Sequence, residues 1–343
     1  MKQIIFIPIL SAAAALSLLA FVSSCAKVSI DKPDQAEQYI DFSTSVETKA
    51  LVESSADMTE FAVWGYYADV NGNYVDVFGS INQEDTGVVV RKENGSWVYE
   101  DLRWWQFGVP YDFFAVYPAG VLGVSLQSAV EPLLTVTGYD ISANTEADLM
   151  LATASDIIYQ DGDVTQPVSF RFSHLLSRID LVCRPYSEQT VDGYEPRVHS
   201  AKLYGLGTEA SFSSGQFTAG NAQRNGWTVS EESLTTENSP FAEATIPAGG
   251  QEINVRTELM SDVLVFPQQT FRPGMAFKVE WSATGDGTTR SSVIELISLP
   301  LEAWVGGKHY VYTFTISPEG RIIFDTPSVQ KWDEAVGGII IVE

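Results

Sequence analysis

The sequence predicts an all-β protein made of two tandem antiparallel β-sandwich domains. Three observations predict it. Six dipeptides suited to tight hairpins punctuate the chain: Asn71-Gly72, Asn94-Gly95, Asp161-Gly162, Asp192-Gly193, Asn225-Gly226 and Asp286-Gly287. Such pairs are favoured where both central residues of a turn take positive φ. The segments between them are rich in Val, Ile, Thr and aromatic residues, which suit a pleated, half-buried surface. Beyond the N-terminal apolar stretch there is no long segment of helical periodicity.

The first residues, "MKQIIFIPILSAAAALSLLAFVSSC", have the layout of an export signal. Lys2 is followed by uncharged residues from Ile4 to Val22, then small residues and Cys25. An apolar stretch of this length is also close to what spans a bilayer. The string Val22-Ser23-Ser24-Cys25 resembles a bacterial lipobox, which implies cleavage before Cys25 and a lipid on its thiol. On that reading residues 1–24 are a lipoprotein signal peptide. Residues 25–38 lack apolar periodicity and read as a tether.

Residues 39–165 are expected to form the first sandwich. It opens with "QYIDFSTSV", in which Ile40, Phe42 and Val46 share one face with Thr44 between them. The polar stretch "ASDIIYQDGDVTQP" marks the expected domain boundary, and residues 166–343 form the second sandwich. In "SFRFSHLLSRIDLVC" the alternation changes phase from Phe170 and Phe172 to Ile179, Leu181 and Cys183, which predicts a bulge near His174–Ser177. In "HYVYTFTIS", Tyr310, Tyr312, Phe314 and Ile316 share one face. The chain ends in "AVGGIIIVE", where Gly337-Gly338 form a joint and Ile339, Ile340, Ile341 and Val342 put two side chains on each face of a strand.

Composition narrows the function. The chain has 343 residues, 45% of them hydrophobic, with 20 Lys plus Arg against 44 Asp plus Glu and a net charge of −24. That charge repels phosphate backbones, so no nucleic-acid partner is expected, nor an anionic membrane held by charge. Cys25 and Cys183 are the two cysteines. With Cys25 lipidated no intramolecular disulfide can form, and each domain must rely on its core. Cys183 sits in an apolar strand pattern and reads as inert core.

Chemistry-bearing patterns are sparse, and no catalytic residue, metal site or cofactor is expected. His174, His199 and His309 lie far apart in the chain. "DVNGNYVD" (69–76) has oxygen-bearing side chains at alternate positions, as a calcium loop does. However, its Gly falls at the fourth position instead of the sixth, and Ser80 stands at the twelfth, so it reads as a hairpin turn. No nucleophile elbow, P-loop or dinucleotide fingerprint occurs. The aromatic run "RWWQFGVPYDFFAVYP" (103–118) suits either a sandwich core or a sugar-stacking platform.

Taken in order, the lipobox, "IDFSTSVETKA", "FAVWGYY", "FFAVYP", "DLMLA", "VSFRFSHLLSRIDL", "LVFPQQT", "WVGGKHYVYTFTI" and "VQKWDEA" resemble the fimbrillins of Bacteroidales, the subunits of type V pili. The resemblance runs over nearly the whole chain. It implies two transthyretin-like sandwiches and an outer-membrane lipoprotein precursor that becomes part of a cell-surface fimbria. A trypsin-like protease would cut between Lys49 and Ala50 and remove the strand carrying Ile40, Phe42, Thr44 and Val46. Many fimbrillins have Arg at that position, so Lys49 leaves the type of protease open. The vacated groove would accept a strand from another fimbrial subunit, and self-polymerisation follows. Residues 333–343, with Ile339–Val342 at their centre, are the donor-like strand; the alternative is that they pair within their own second domain. A tip or anchor subunit and a glycan-binding surface lipoprotein are the rival functions.

Overall fold

Alternation decides the strands. In β10 (Val168–His174) Val168, Phe170, Phe172 and His174 are buried, while Ser169 and Arg171 are exposed. The same rule, with two faces covered, gives the unbroken buried run Phe61–Tyr66 of β2 (Glu60–Ala68). The computed structural model describes residues 39–46, 58–128, 130–144, 148–160, 167–186, 191–284 and 288–331.

In chain order the first strands are β1 (Phe42–Val46), β2, β3 (Tyr74–Phe78), β4 (Val88–Glu93), β5 (Ser96–Val98), β6 (Pro110–Tyr117), β7 (Val124–Ser128), β8 (Pro132–Asp140), β9 (Met150–Ile158), β10 and β11 (Ser177–Arg184). They are followed by β12 (Tyr194–Tyr204), β13 (Glu209–Phe217), β14 (Asn225–Val229), β15 (Ala242–Glu243), β16 (Gln251–Glu252), β17 (Thr257–Val265), β18 (Ala276–Thr284), β19 (Arg290–Glu295), β20 (Lys308–Ile316), β21 (Ile322–Phe324) and β22 (Ser328–Lys331). Three single 3₁₀ turns are the only helical elements among the described residues.

Four sheets result. The first runs β1-β10-β9-β6-β2-β4-β5, with β3 also on β2. A second, β14-β13-β8-β7, covers one of its faces, and Trp64, Val116, Leu134, Phe212 and Trp227 fill the layer between them. The third sheet, β17-β11-β20-β21 with β22 on β20, faces the fourth, β15-β12-β18-β19 with β16 on β12. Tyr310, Tyr312, Phe314 and Ile316 sit between these two, as their shared face predicts. Between named strands all pairings are antiparallel except β1 with β10 and β11 with β20, which are parallel.

Three sequence expectations are corrected here. The phase change at His174–Ser177 is not a bulge: Leu175 and Leu176 carry the chain out of the first sheet and into the third, so the inward side reverses because the neighbours change. A register shift does occur later, in β11 around Leu181. Pairing does not divide at 165/166, because β10 joins β9, and β13 and β14 complete the sheet begun by β7 and β8. Trp227 Nε1 donates to the Leu175 carbonyl (2.9 Å) and Asn225 Nδ2 to that of Pro267 (3.1 Å), tying these strands to the linking segments. The described residues from Tyr39 onward accordingly form one compact unit. Finally, Asn225-Gly226 opens β14 instead of turning a hairpin, its Asn side chain buried by the bond to Pro267. Asn94-Gly95 behaves as predicted: both residues take positive φ (50° and 87°) in the turn between β4 and β5.

Candidate functional site: the slot filled by the first strand

The first sheet curls until its two edges nearly meet. Ile40 N–H donates to the Arg103 carbonyl (2.8 Å), and Tyr39 bridges to Trp104, in the segment that follows β5. The concave side encloses a core of its own, built from Phe61, Phe78, Phe113, Phe170 and Phe172 with smaller aliphatic residues. Gly65 on β2 lets the Phe113 ring approach; a Cβ there would stand 2.6 Å from Phe113 Cδ1.

Strand β1 lies in the remaining slot. Ile40 is 0% exposed and Phe42 3%. Phe42 stacks on Phe170 (ring centroids 5.5 Å apart), meets Phe78 edge-on at 5.3 Å, and also touches Phe61, Tyr99 and Phe113. Offset and edge-on pairs of this kind add about 0.5–1.5 kcal/mol each beyond burial. Thr44 is half-buried, and Val46 pairs in register with Phe172. On one side β1 is paired with β10 over Phe42–Val46, and Val168 N–H donates to the Asp41 carbonyl (2.7 Å). On the other side a cavity of about 330 Å³ separates it from the β4–β5 hairpin, lined by Asp41, Ser43 and Thr44 opposite Lys92, Ser96 and Trp97. β1 is therefore an edge strand that carries core side chains, a combination natural sheets usually guard against.

Two residues outside the predicted set hold this strand. The Tyr99 hydroxyl donates to the Ile40 carbonyl (2.7 Å) and accepts from Arg103 N–H (3.3 Å). The Arg103 guanidinium in turn donates to the carbonyls of Val77 and Asp101. Burial pushes the Tyr99 hydroxyl pKa up, which keeps it a neutral donor. Periodicity does not reveal Tyr99 or Arg103, since both follow β5 in an irregular segment. Of the remaining predicted site residues, Cys25, Lys49, Ala50, Ile339, Ile340, Ile341 and Val342 lie outside the described residues.

The other polar groups are structural in their surroundings. His174 Nδ1 meets Asp148 at 2.8 Å, with both side chains buried, and His199 Nε2 lies 3.0 Å from the hydroxyl of buried Ser282. His309 Nε2 meets Asp180 at 2.8 Å. Burial alone would raise the Asp180 carboxyl pKa, but hydrogen bonds from His309 and the Asp262 amide, with the charges of His309 and Arg178, outweigh it and hold it below the usual range. Burial raises the pKa of the Cys183 thiol. Asp69 spends its carboxylate on the turn it starts, accepting from Asn71 N–H and Asn73 N–H at 2.8 Å each, between β2 and β3. No cluster of three or more His, Cys, Asp or Glu side chains suited to a metal occurs among the described residues. Of the aromatic run, Trp104 is exposed, whereas half-buried Trp105 packs on Tyr111 and Tyr159.

A family model described as fimbrillin-like matches residues 48–332, most of the chain. The protein belongs to the fimbrillin-like family. This fimbrillin-like chain also shares its fold with a crystal structure of a fimbrial protein from Bacteroides vulgatus (TM-score 0.56, 19% identity, covering 85% of this chain and 99% of that one). A structure described as a candidate cell adhesion protein from Bacteroides ovatus aligns at 17% identity over 90% of this chain and 100% of that one, with a TM-score of 0.48. No curated protein matches the fimbrillin-like chain.

Proposed function

We propose that this fimbrillin-like protein, built of two tandem transthyretin-like sandwiches, is a structural, non-enzymatic subunit of a cell-surface fimbria that supports adhesion, and that it assembles by protease-triggered strand exchange in which the opened groove of one copy accepts a strand from the next. The observation that carries the reading is β1: an edge strand paired with β10 alone, whose Phe42, with Ile40 just before the strand, is buried in an aromatic core. A basic residue, Lys49, follows it closely. Cutting there would leave β1 held only by non-covalent contacts. Its departure would expose the rings around Phe42 and the unpaired edge of β10, which invites strand addition. A protein from Bacteroides vulgatus that shares this fold is described as fimbrial. Before cleavage the precursor would be tethered to the outer membrane by a lipid on Cys25.

Limited digestion tests the trigger. A trypsin-like protease should cut after Lys49 before most other Lys and Arg sites, and the cut chain should grow into larger assemblies on a sizing column. N-terminal sequencing that finds Lys49 intact while sites within the sandwiches are cut would end the proposal. The anchor is tested separately: Cys25→Ala should leave an unlipidated precursor that keeps residues 1–24. A wild-type N-terminal peptide without lipid by mass spectrometry counts against it.

A further inference from the structure

The segment between β5 and β6 exposes Leu102 (47%), Trp104 (47%) and Phe107 (60%). Tyr39, 45% exposed, stands edge-on to Trp104 with ring centroids 6.3 Å apart. Tyr39 and Trp104 thus meet at the surface, and Leu102 and Phe107 are exposed within the same short stretch of chain. The backbone below them is held firmly: Gln106 N–H donates to the Tyr111 hydroxyl and Gly108 N–H to the Tyr159 carbonyl, both at 2.8 Å. Trp105 anchors the segment from the inside by packing on Tyr111 and Phe113. The patch is therefore presented by the fold.

We infer that Tyr39, Leu102, Trp104 and Phe107 form a lipid-facing patch that seats the precursor against a zwitterionic membrane surface. Position and chemistry both argue for this occupant. Residues 26–38 alone separate Tyr39 from Cys25, the expected lipid attachment point. Even fully extended, a chain of that length reaches at most about 50 Å, so the patch cannot move far from the bilayer to which Cys25 is fixed. A tether that short raises the effective concentration of the surface, and weak contacts suffice. Trp and Tyr suit the headgroup region because each has an apolar body and a polar tip. Exposed Glu100 and Asp101 adjoin the patch in sequence, so an anionic surface is disfavoured. The inference rests on the lipid-anchor reading. Cleavage after Lys49 would remove Tyr39 together with the tether, coupling release from the membrane to opening of the slot.

The test attaches the lipid chemically, so it does not depend on natural lipidation. The chain from Cys25 to Glu343 is alkylated at Cys25 with a single-chain hexadecyl maleimide; Cys183 is buried with a raised thiol pKa and resists the reagent. One acyl chain binds membranes only marginally, which leaves room to see the patch. Partitioning onto phosphatidylethanolamine–phosphatidylcholine vesicles is measured by sedimentation. A chain with Leu102→Ser, Trp104→Ser and Phe107→Ser should partition about tenfold less than wild type at an unchanged thermal midpoint. If the triple variant unfolds, Phe107→Ser alone, at the most exposed position, should still weaken partitioning about threefold. Equal partitioning of folded variant and wild type overturns the inference. So does equal partitioning with lost filament growth after cleavage, which would assign the patch to contacts between copies. A missing lipid on natural Cys25 would instead undo the anchor reading and leave the vesicle result standing.

Discussion

Replacing Phe42 by Ala should destabilise the uncleaved protein by about 3–5 kcal/mol, the usual range for emptying a buried Phe site. The ring is 3% exposed and touches five others, Phe61, Phe78, Tyr99, Phe113 and Phe170, so the space it leaves is walled by rigid groups that collapse poorly. Ser43→Ala, one residue along and facing the cavity beside the β4–β5 hairpin, should change stability by less than about 0.5 kcal/mol. Denaturant unfolding of the two variants gives the comparison. A Phe42→Ala cost below about 1 kcal/mol would mean that β1 adds little to the core, and its removal could not then open an adhesive slot. The same variant should loosen β1 and speed cutting at Lys49, because an edge strand with a weakened anchor opens more often.

The second large effect concerns the tail. Deleting residues 336–343 should leave a monomer with the wild-type thermal midpoint that forms no filaments after cleavage. The expectation rests on matching periods. Ile40 and Phe42 enter the slot two residues apart, and Ile339 with Ile341, or Ile340 with Val342, offers the same spacing on one face of a strand. Burying the two aliphatic side chains on that face contributes on the order of 3–6 kcal/mol before the entropy of ordering the tail is subtracted. Ile340→Asp should behave like the deletion, since an unpaired carboxylate in an aromatic-lined slot costs several kcal/mol. The alternative, a tail paired beside β22 at the edge of its own third sheet, makes the opposite forecast. A marked drop in the monomer's thermal midpoint on deletion would establish that alternative and retire the donor role.

The local signals that survived folding are those set by nearest neighbours. Asn94-Gly95 turns the β4–β5 hairpin because its two residues tolerate positive φ whatever surrounds them. The alternation in "QYIDF" identified Ile40 and Phe42 as inward, and "HYVYTFTIS" gave the inward face of β20, because side chains in an extended strand must alternate. The all-β class and the fimbrillin resemblance were legible for the same reason: many short strand and turn patterns recur in order.

What depended on distant partners was not legible. No local pattern tells that β1 pairs parallel with β10, more than a hundred residues away, or that β13 and β14 complete a sheet begun by β7 and β8. The phase change at Leu175-Leu176 reads as a bulge in sequence, yet it is a crossing between sheets, since only the identity of the neighbouring strand separates the two. Tyr99 and Arg103 carry no period and became visible as the clamp on Ile40 only when the first sheet curled its edges together. The sequence by itself thus determined which side chains of the first strand must be buried, through the two-residue repeat of an extended chain. Only the tertiary structure decided where they are buried, because the slot is made of segments brought together by sheet curvature and long-range pairing.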